Sequence, residues 1–162
     1  MHRGLVTRRI LLLLLLAACS PFTTRPYFPP VTGAAQAEIE LDLEDATETL
    51  AAVLRSDSLP VTRVELRDGY IETAWFDATT KAATGSRRLG PDVVQIRAWV
   101  DPSRQGYSVL TVETVYRPLA DPSLSPRDLD RQVPPDHVVG KRVTEIVIEL
   151  ARLYSSEAPP AP

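Results

Sequence analysis

The chain has 162 residues, 44% of them hydrophobic, with 18 basic and 21 acidic side chains, a formal net charge of −3 and 15 prolines. That length builds one core with tails, and the acidic balance excludes the clustered Lys and Arg face that nucleic acid or an anionic membrane surface would need. A single cysteine excludes a disulfide framework and a thiolate zinc site.

The first segment is the most informative. Arg3, Arg8 and Arg9 precede Ile10 and leucines at every position from 11 to 16, and the run closes on Ala17, Ala18 and Cys19. A positive segment, a short apolar segment and small residues at a cut form the order of a secretory signal. The apolar run is too short for a bilayer core of about 30 Å, which takes roughly 20 residues to cross. Leu16-Ala17-Ala18-Cys19 resembles the lipobox of bacterial lipoproteins. That resemblance implies cleavage before Cys19 and acylation of its thiol and new amino group, which attaches the chain to a membrane. More than one acyl chain holds a protein far more firmly than the single, reversible myristoyl anchor. Ser20 stands where an aspartate would retain such a lipoprotein at the inner membrane, so the resemblance implies a periplasm-facing place at the outer membrane of a cell with two membranes. The alternatives are an ordinary N-terminal anchor and a secreted chain. Arg8-Arg9 partly resembles a twin-arginine signal, although the leucine run suits the general secretory route better. Loss of residues 1–18 would remove three basic and no acidic residues, leaving 144 residues with a formal charge of −6.

Residues 19–37 read as a flexible tether, because prolines at 21, 26, 29 and 30 deny the backbone a helix or a central strand. Tyr27 and Phe28 within it would dock on the domain or a partner, or rest near the membrane surface. Glu38, Ile39, Glu40, Leu41, Asp42 and Leu43 then alternate with the period of a strand. A helix capped by Glu44 or Asp45 follows, with capping-box spacing from Asp45 to Glu48. Ala46, Leu50, Val53 and Leu54 form its apolar stripe, and it ends near residues 56–58, ahead of Pro60. A helix starting as early as Glu38 is the alternative, since Ile39, Leu43, Ala46 and Leu50 also share a stripe.

Asp68-Gly69 suits a two-residue hairpin turn between strands within residues 61–76. Setting Arg67 opposite Tyr70 places Leu66 with Ile71, Val64 with Thr73 and Thr62 with Trp75 on the core face. Residues 77–91 form a long loop carrying Lys81, Arg87 and Arg88, either a binding element or a solvated connection. Val94, Ile96, Ala98 and Val100 mark the next strand, and Leu110, Val112 and Tyr116 its partner. Pairing Ala98 with Leu110 and Ile96 with Val112 leaves a five-residue loop. Trp99 then points away from the core with Tyr70, Tyr107 and Val109. Together with Lys81, Arg87 and Arg88 it marks a candidate partner surface, or simply a covered edge.

Residues 117–135 read as an extended, proline-punctuated connector with a short helical turn near residues 127–131. Val139, Val143, Ile146, Val147, Leu150, Leu153 and Tyr154 recur at helical spacing and form a second amphipathic helix, followed by a disordered tail at residues 155–162. His137 beside Asp136 is a candidate for acid–base chemistry. Sequence neighbours rarely face each other, so Asp136 reads instead as the helix N-cap and His137 as part of its first turn. Neither a Gly-x-Ser-x-Gly elbow nor a glycine-rich phosphate loop is present, and nothing calls for a cofactor.

The order strand, helix, four antiparallel strands, helix describes an α+β two-layer sandwich over residues 38–154, a mainly antiparallel sheet with two helices packed on one face. The segments Asp68-Gly69-Tyr70-Ile71-Glu72-Thr73-Ala74-Trp75-Phe76 and Val94-Gln95-Ile96-Arg97-Ala98-Trp99-Val100 are similar to a glycine, Ile-x-Thr-x-Trp and basic-strand pattern of BamC-type lipoproteins with helix-grip-like domains. The resemblance implies a non-enzymatic accessory module that binds an envelope protein. The alternatives are a pocket for a lipid or cell-wall ligand between sheet and helices, and a hydrolase using Asp136 and His137.

Overall fold

The computed structural model describes residues 23–85 and 88–155. Cys19 and the rest of the lipobox, Arg87 and residues 156–162 lie outside the described residues.

The fold is an α+β sandwich. Its elements are β1 (Ala35–Ile39), α1 (Leu43–Ser56), β2 (Val61–Glu65), β3 (Tyr70–Thr73), β4 (Phe76–Asp77), β5 (Val93–Arg104), β6 (Tyr107–Tyr116), α2 (Pro126–Leu129), β7 (Arg131–Gln132) and α3 (Val138–Leu153). The antiparallel sheet runs β1-β6-β5-β3-β2, with β4 extending the line of β3 along β5 and β7 extending the line of β1 along β6. Helix α1 packs over β2, β3, β5 and β6, while α3 packs over β1 and β6, so both cover one face. Ala46, Leu50 and Leu54 from α1 and Val143, Ile146 and Leu150 from α3 meet Ile71, Ile96, Ala98, Val100, Leu110 and Val112 from the sheet in one core. Burial of these side chains drives the assembly, and the β-branched residues of α3 depend on it.

The first strand starts earlier than its alternation suggested. Ala35, Ala37 and Ile39 face the core, and Leu43 already belongs to α1. The two alanines are too small to register as an apolar strand, yet they sit where α3 approaches β1. Asp42 occupies the N-cap of α1 without a side-chain hydrogen bond, so the expected box from Asp45 to Glu48 does not form. The helix closes at Ser58, whose left-handed φ of 61° lets Leu59 N donate to Leu54 O.

Both hairpins are slipped by two residues from the expected register. In β2–β3, Glu65 pairs with Tyr70 and Val64 with Ile71, and an irregularity between Val61 and Arg63 brings Val61 rather than Thr62 opposite Thr73. In β5–β6, Ala98 pairs with Val112 and Val100 with Leu110. A slip of two preserves which side chains face the core, whereas a slip of one reverses them, so Val64 and Ile71 keep the expected face; Trp75, past the end of β3, does not, and packs with Val93 and Val115 on the other face. Packing explains the first slip. Gly69 lies against β5, where its carbonyl accepts a hydrogen bond from Val100 N at 2.8 Å, and a Cβ at Gly69 would stand 2.1 Å from Val100 O. The reversal therefore spans four residues and folds down onto the neighbouring strand.

Gly69→Ala should destabilise the domain by about 2–5 kcal/mol, the sum of left-handed strain and a backbone clash. Gly106→Ala has a comparable φ of 77° but open space around its Cβ, and should cost only about 1–2 kcal/mol. Chemical denaturation of the two variants separates conformation from collision; equal losses would show that the close approach to Val100 is not tight.

Candidate functional site

The second face of the sheet is covered by the chain that precedes β1. This corrects the reading of residues 19–37 as a tether throughout, and the reading of Trp99 as a surface residue. Thr24 N and Oγ1 both donate to Asp68 Oδ2 at 2.6 Å, and the Arg25 guanidinium reaches Asp101 at 2.7 and 3.3 Å. Phe28 meets Trp99 edge-on, with ring centroids 6.1 Å apart, and Trp99 meets Tyr70 at 5.6 Å. Val31 N donates to Glu113 Oε2 at 2.7 Å. A turn closed by Ala34 N and Val31 O then leads round the sheet edge into β1. Prolines leave few backbone donors here, so side chains and rings make most of the attachments. As a result Trp99 is 1% exposed and Tyr70 fully buried. Burial pushes the Tyr70 phenol up, and the neighbouring Glu72 carboxylate adds to the rise.

Between this strap and the connector after β6 lies a cluster of paired charges. Arg97 on β5 donates to Glu113 on β6 at 2.9 Å and to Asp130, just past α2, at 2.7 Å. Arg117 reaches the other oxygen of Asp130 at 2.9 Å. Arg127 donates to both oxygens of Glu113, at 2.8 and 3.2 Å, and to Pro29 O at 2.5 Å. The side chains of Glu113 and Asp130 have no exposed surface, and that of Arg97 has 6%. Burial works against the Arg97 charge, but the hydrogen bond to Asp130 and the charges of Asp130 and Glu113 outweigh it and hold its pKa above the ordinary arginine value. Glu72 completes the set, 4.0 Å from Arg97 Nε and bonded by Gln95 Nε2 at 2.8 Å. Phe28 lies under Arg127 and Arg97, at 4.3 and 5.3 Å, and Trp75 lies under Arg117 at 4.5 Å.

Arg97, Arg117, Arg127, Glu72 and Asp130 line a cleft of about 430 Å³, with Glu113 buried behind them. Three guanidinium groups there face three carboxylates, so the polar wall ties segments together and leaves its charges committed to one another. Beside it, a groove of about 520 Å³ is bounded by Leu89, Leu119 and Leu124, with Leu129 beneath. The three outer leucines are 45%, 50% and 45% exposed. Leu89 belongs to the loop between β4 and β5, and Gly90 N holds that loop to Arg117 O at 2.8 Å.

The structure does not assemble Lys81, Arg88 and Trp99 into one surface. Lys81 sits in a closed turn, with a φ of 57°, where Asp77 accepts bonds from Thr79 N and Thr80 N. Its Nζ donates to Asp57 O at 2.5 Å, at the C-terminal end of α1, and Arg142 of α3 reaches Asp57 Oδ1 at 3.0 Å. Lys81 thus joins both helices to the loop on the core side of the sheet, opposite the face that holds Trp99. Arg88 is exposed. His137 is itself the N-cap of α3, one residue later than expected for that cap: Nδ1 accepts from Gly140 N at 3.4 Å and Nε2 meets Pro91 O at 2.9 Å. Its ring thereby ties the loop to the helix start.

Sequence reasoning missed Arg97, Glu113, Arg117, Arg127 and Asp130. No local signal gives the central pair: a two-residue turn at Gln105-Gly106 pairs Arg104 with Tyr107 and by itself would set Arg97 opposite Thr114, and the irregularity between Pro102 and Arg104 is what brings Glu113 opposite Arg97, a favourable cross-strand pair. Among the described residues, no group of three or more His, Cys, Asp and Glu is placed to hold a metal ion, and no helix is long and apolar enough to cross a membrane. No protein-family model matches the chain, and no curated protein matches it.

Glu113→Ala should lower stability by about 3–5 kcal/mol, because it strands Arg97 in a buried site. Adding Arg97→Met should recover part of that loss; thermal unfolding of single and double variants measures the coupling, and strict additivity would show that the pair does not act as a unit. Phe28→Ala should shift Trp99 emission to longer wavelength by admitting water, and an unchanged spectrum would mean that the strap does not shield the indole. The Asp68 carboxyl lies below its usual value of 3.8, chiefly through the bonds from Thr24. Because its pKa is lowered on folding, this latch is fully formed above pH 3.8 and is lost as pH falls through the lowered value. Asp68→Asn should remove that acid-dependent part of the strap's hydrogen-exchange protection; an identical acid profile in the variant would assign the dependence elsewhere.

Proposed function

We propose that the protein is a membrane-anchored envelope lipoprotein whose domain is a non-enzymatic, protein-binding accessory module. The anchor rests on Leu16, Ala17, Ala18 and Cys19, followed by Ser20, which favours the outer membrane of a two-membrane cell. The observation that carries the binding reading is the contrast between two neighbouring sites. In the cleft the charged groups are spent on one another, whereas in the adjacent groove Leu89, Leu119 and Leu124 stay about half exposed with nothing of the described chain over them. Gathered exposed apolar side chains mark a docking surface, here for an apolar segment of another envelope protein. Leu89 brings the C-terminal end of the loop between β4 and β5 to that surface. The space between sheet and helices is filled by side chains, which favours a protein partner over a lipid held within the sandwich. His137, with its two nitrogens committed to Gly140 N and Pro91 O, serves architecture in this reading.

Cys19→Ser should move the protein from the membrane pellet to the soluble fraction and abolish incorporation of labelled palmitate. Continued sedimentation with membranes, at the level of the parent, would overturn the lipid anchor. Leu119→Asp with Leu124→Asp should leave the melting temperature within a few degrees of the parent, since both side chains are exposed. The same pair should remove any crosslink formed in cells by a photoreactive side chain at position 89; a crosslink that survives would place the partner on another face.

A further inference from the structure

We infer that the docked strap fixes which end of the domain faces the bilayer, so that the β5–β6 hairpin end is the membrane-facing surface and its partner is the lipid headgroup layer. The inference rests on the proposed acylation of Cys19 and adds an orientation to it. Thr24 is held at this end by the hydrogen bonds to Asp68 in the β2–β3 turn, and Arg25 by its salt bridge to Asp101, which pairs with Val109 near the hairpin. Five Cα-to-Cα steps separate Cys19 from Thr24, and fully extended they reach roughly 18 Å. The end of the domain at Asp68 and Asp101 therefore stays within that distance of the acyl chains.

The leucine groove lies at the other end of the same strands. Eight residue steps of extended chain, from Val109 in β6 to Arg117 just past its end, place the two ends roughly 26 Å apart. A leash shorter than the domain, attached at one end, biases that end toward the membrane and carries the other away from it. Tyr27, three residues after Thr24, bears on the same orientation and rests on the same anchor. It is 94% exposed, while Phe28 beside it is tucked against Trp99, and a tyrosine with a wet apolar ring close to an acyl anchor is suited to the headgroup region. Charge does not supply the attraction. Arg25, Arg63 and Arg104 at this end are paired with Asp101, Glu65 and Glu38, and Asp42, Glu44 and Asp45 line the recess beside the hairpin. The orientation is accordingly set by the covalent anchor and the strap, and should be insensitive to salt.

The full-length acylated protein, reconstituted in vesicles of phosphatidylethanolamine and phosphatidylglycerol, tests this directly. Cys19 is the only cysteine, so once it is acylated a cysteine introduced at Gln105 or at Leu124 is a unique thiol for a fluorophore. A nitroxide on the lipid headgroups should quench the label at position 105 at least threefold more than at position 124, with the same ratio in high salt. Insertion of about 20 Gly and Ser residues between Ser20 and Thr23 leaves the strap docked but lengthens the leash to roughly 25 Å as a coil, and should bring the ratio toward one. Arg25→Ala with Thr24→Ala should do the same by releasing the strap, and the insertion variant covers the case in which these substitutions disturb folding. Equal quenching at the two positions in the parent, or a ratio unmoved by the insertion, overturns the orientation. If the parent fails to stay on the vesicles at all, it is the anchor that has failed.

Discussion

The arrangement on the outer face of the sheet depends on one buried guanidinium. Arg97 is set in the middle of β5 against the Phe28 ring, and its charge is stable there only because Glu113 and Asp130 approach from a neighbouring strand and from the connector. A buried ion pair of this kind adds little net stability compared with a well-packed apolar pair, and its weight lies in what happens when one member is absent. Each partner of Arg97 is in turn fixed by another arginine, and Arg127 also holds the strap through Pro29 O. Two proline-rich segments that would not fold alone are thereby held in place by the requirement that no buried charge be left alone.

The consequence is a sandwich with unlike fillings. On the helical side, alternate residues of five strands meet two amphipathic helices in an aliphatic core. On the other side, the cover is chain with little regular structure, held by rings, guanidinium groups and carboxylates. Irregular backbone can cover a sheet in this way because its few amides find side-chain acceptors, as Val31 does at Glu113. The part of the chain closest to the proposed anchor belongs to the folded body, so attachment and architecture become one problem.

The helical layer was legible in the sequence because it obeys periodicity. Val139, Val143, Ile146, Val147 and Leu150 keep helical spacing, and Val94, Ile96, Ala98 and Val100 keep strand alternation, so each announced its face. Registers were legible only to within two residues, since alternation is blind to that slip and the deciding contacts, Gly69 against Val100 and Arg97 against Glu113, are long-range. The strap was not legible. Four prolines among residues 20–34 describe a chain that avoids helix and central strand, and they describe a free tether and a docked strap equally well. Phe28 was noted as able to dock, but its site between Trp99 and two arginines exists only once β5, β6 and the connector have come together. The paired charges were hidden for the same reason, since Arg117, Arg127 and Asp130 sit in a segment with no period to read.

The edges of the sheet have a further meaning. An unpaired strand edge is a template on which a second molecule can add its own strand, and proteins restrain it by keeping edges short, charged or irregular. Here one side is divided between β1 and β7, five residues and two, with Glu38 turned outward. The other is the five-residue β2, broken by its irregularity between Val61 and Arg63 and carrying Arg63 and Glu65. Molecules confined to a surface collide with their own kind far more often than molecules free in three dimensions. On the membrane surface proposed for this protein, fragmented margins would keep each copy from templating the next, so that sheets do not fuse into fibres.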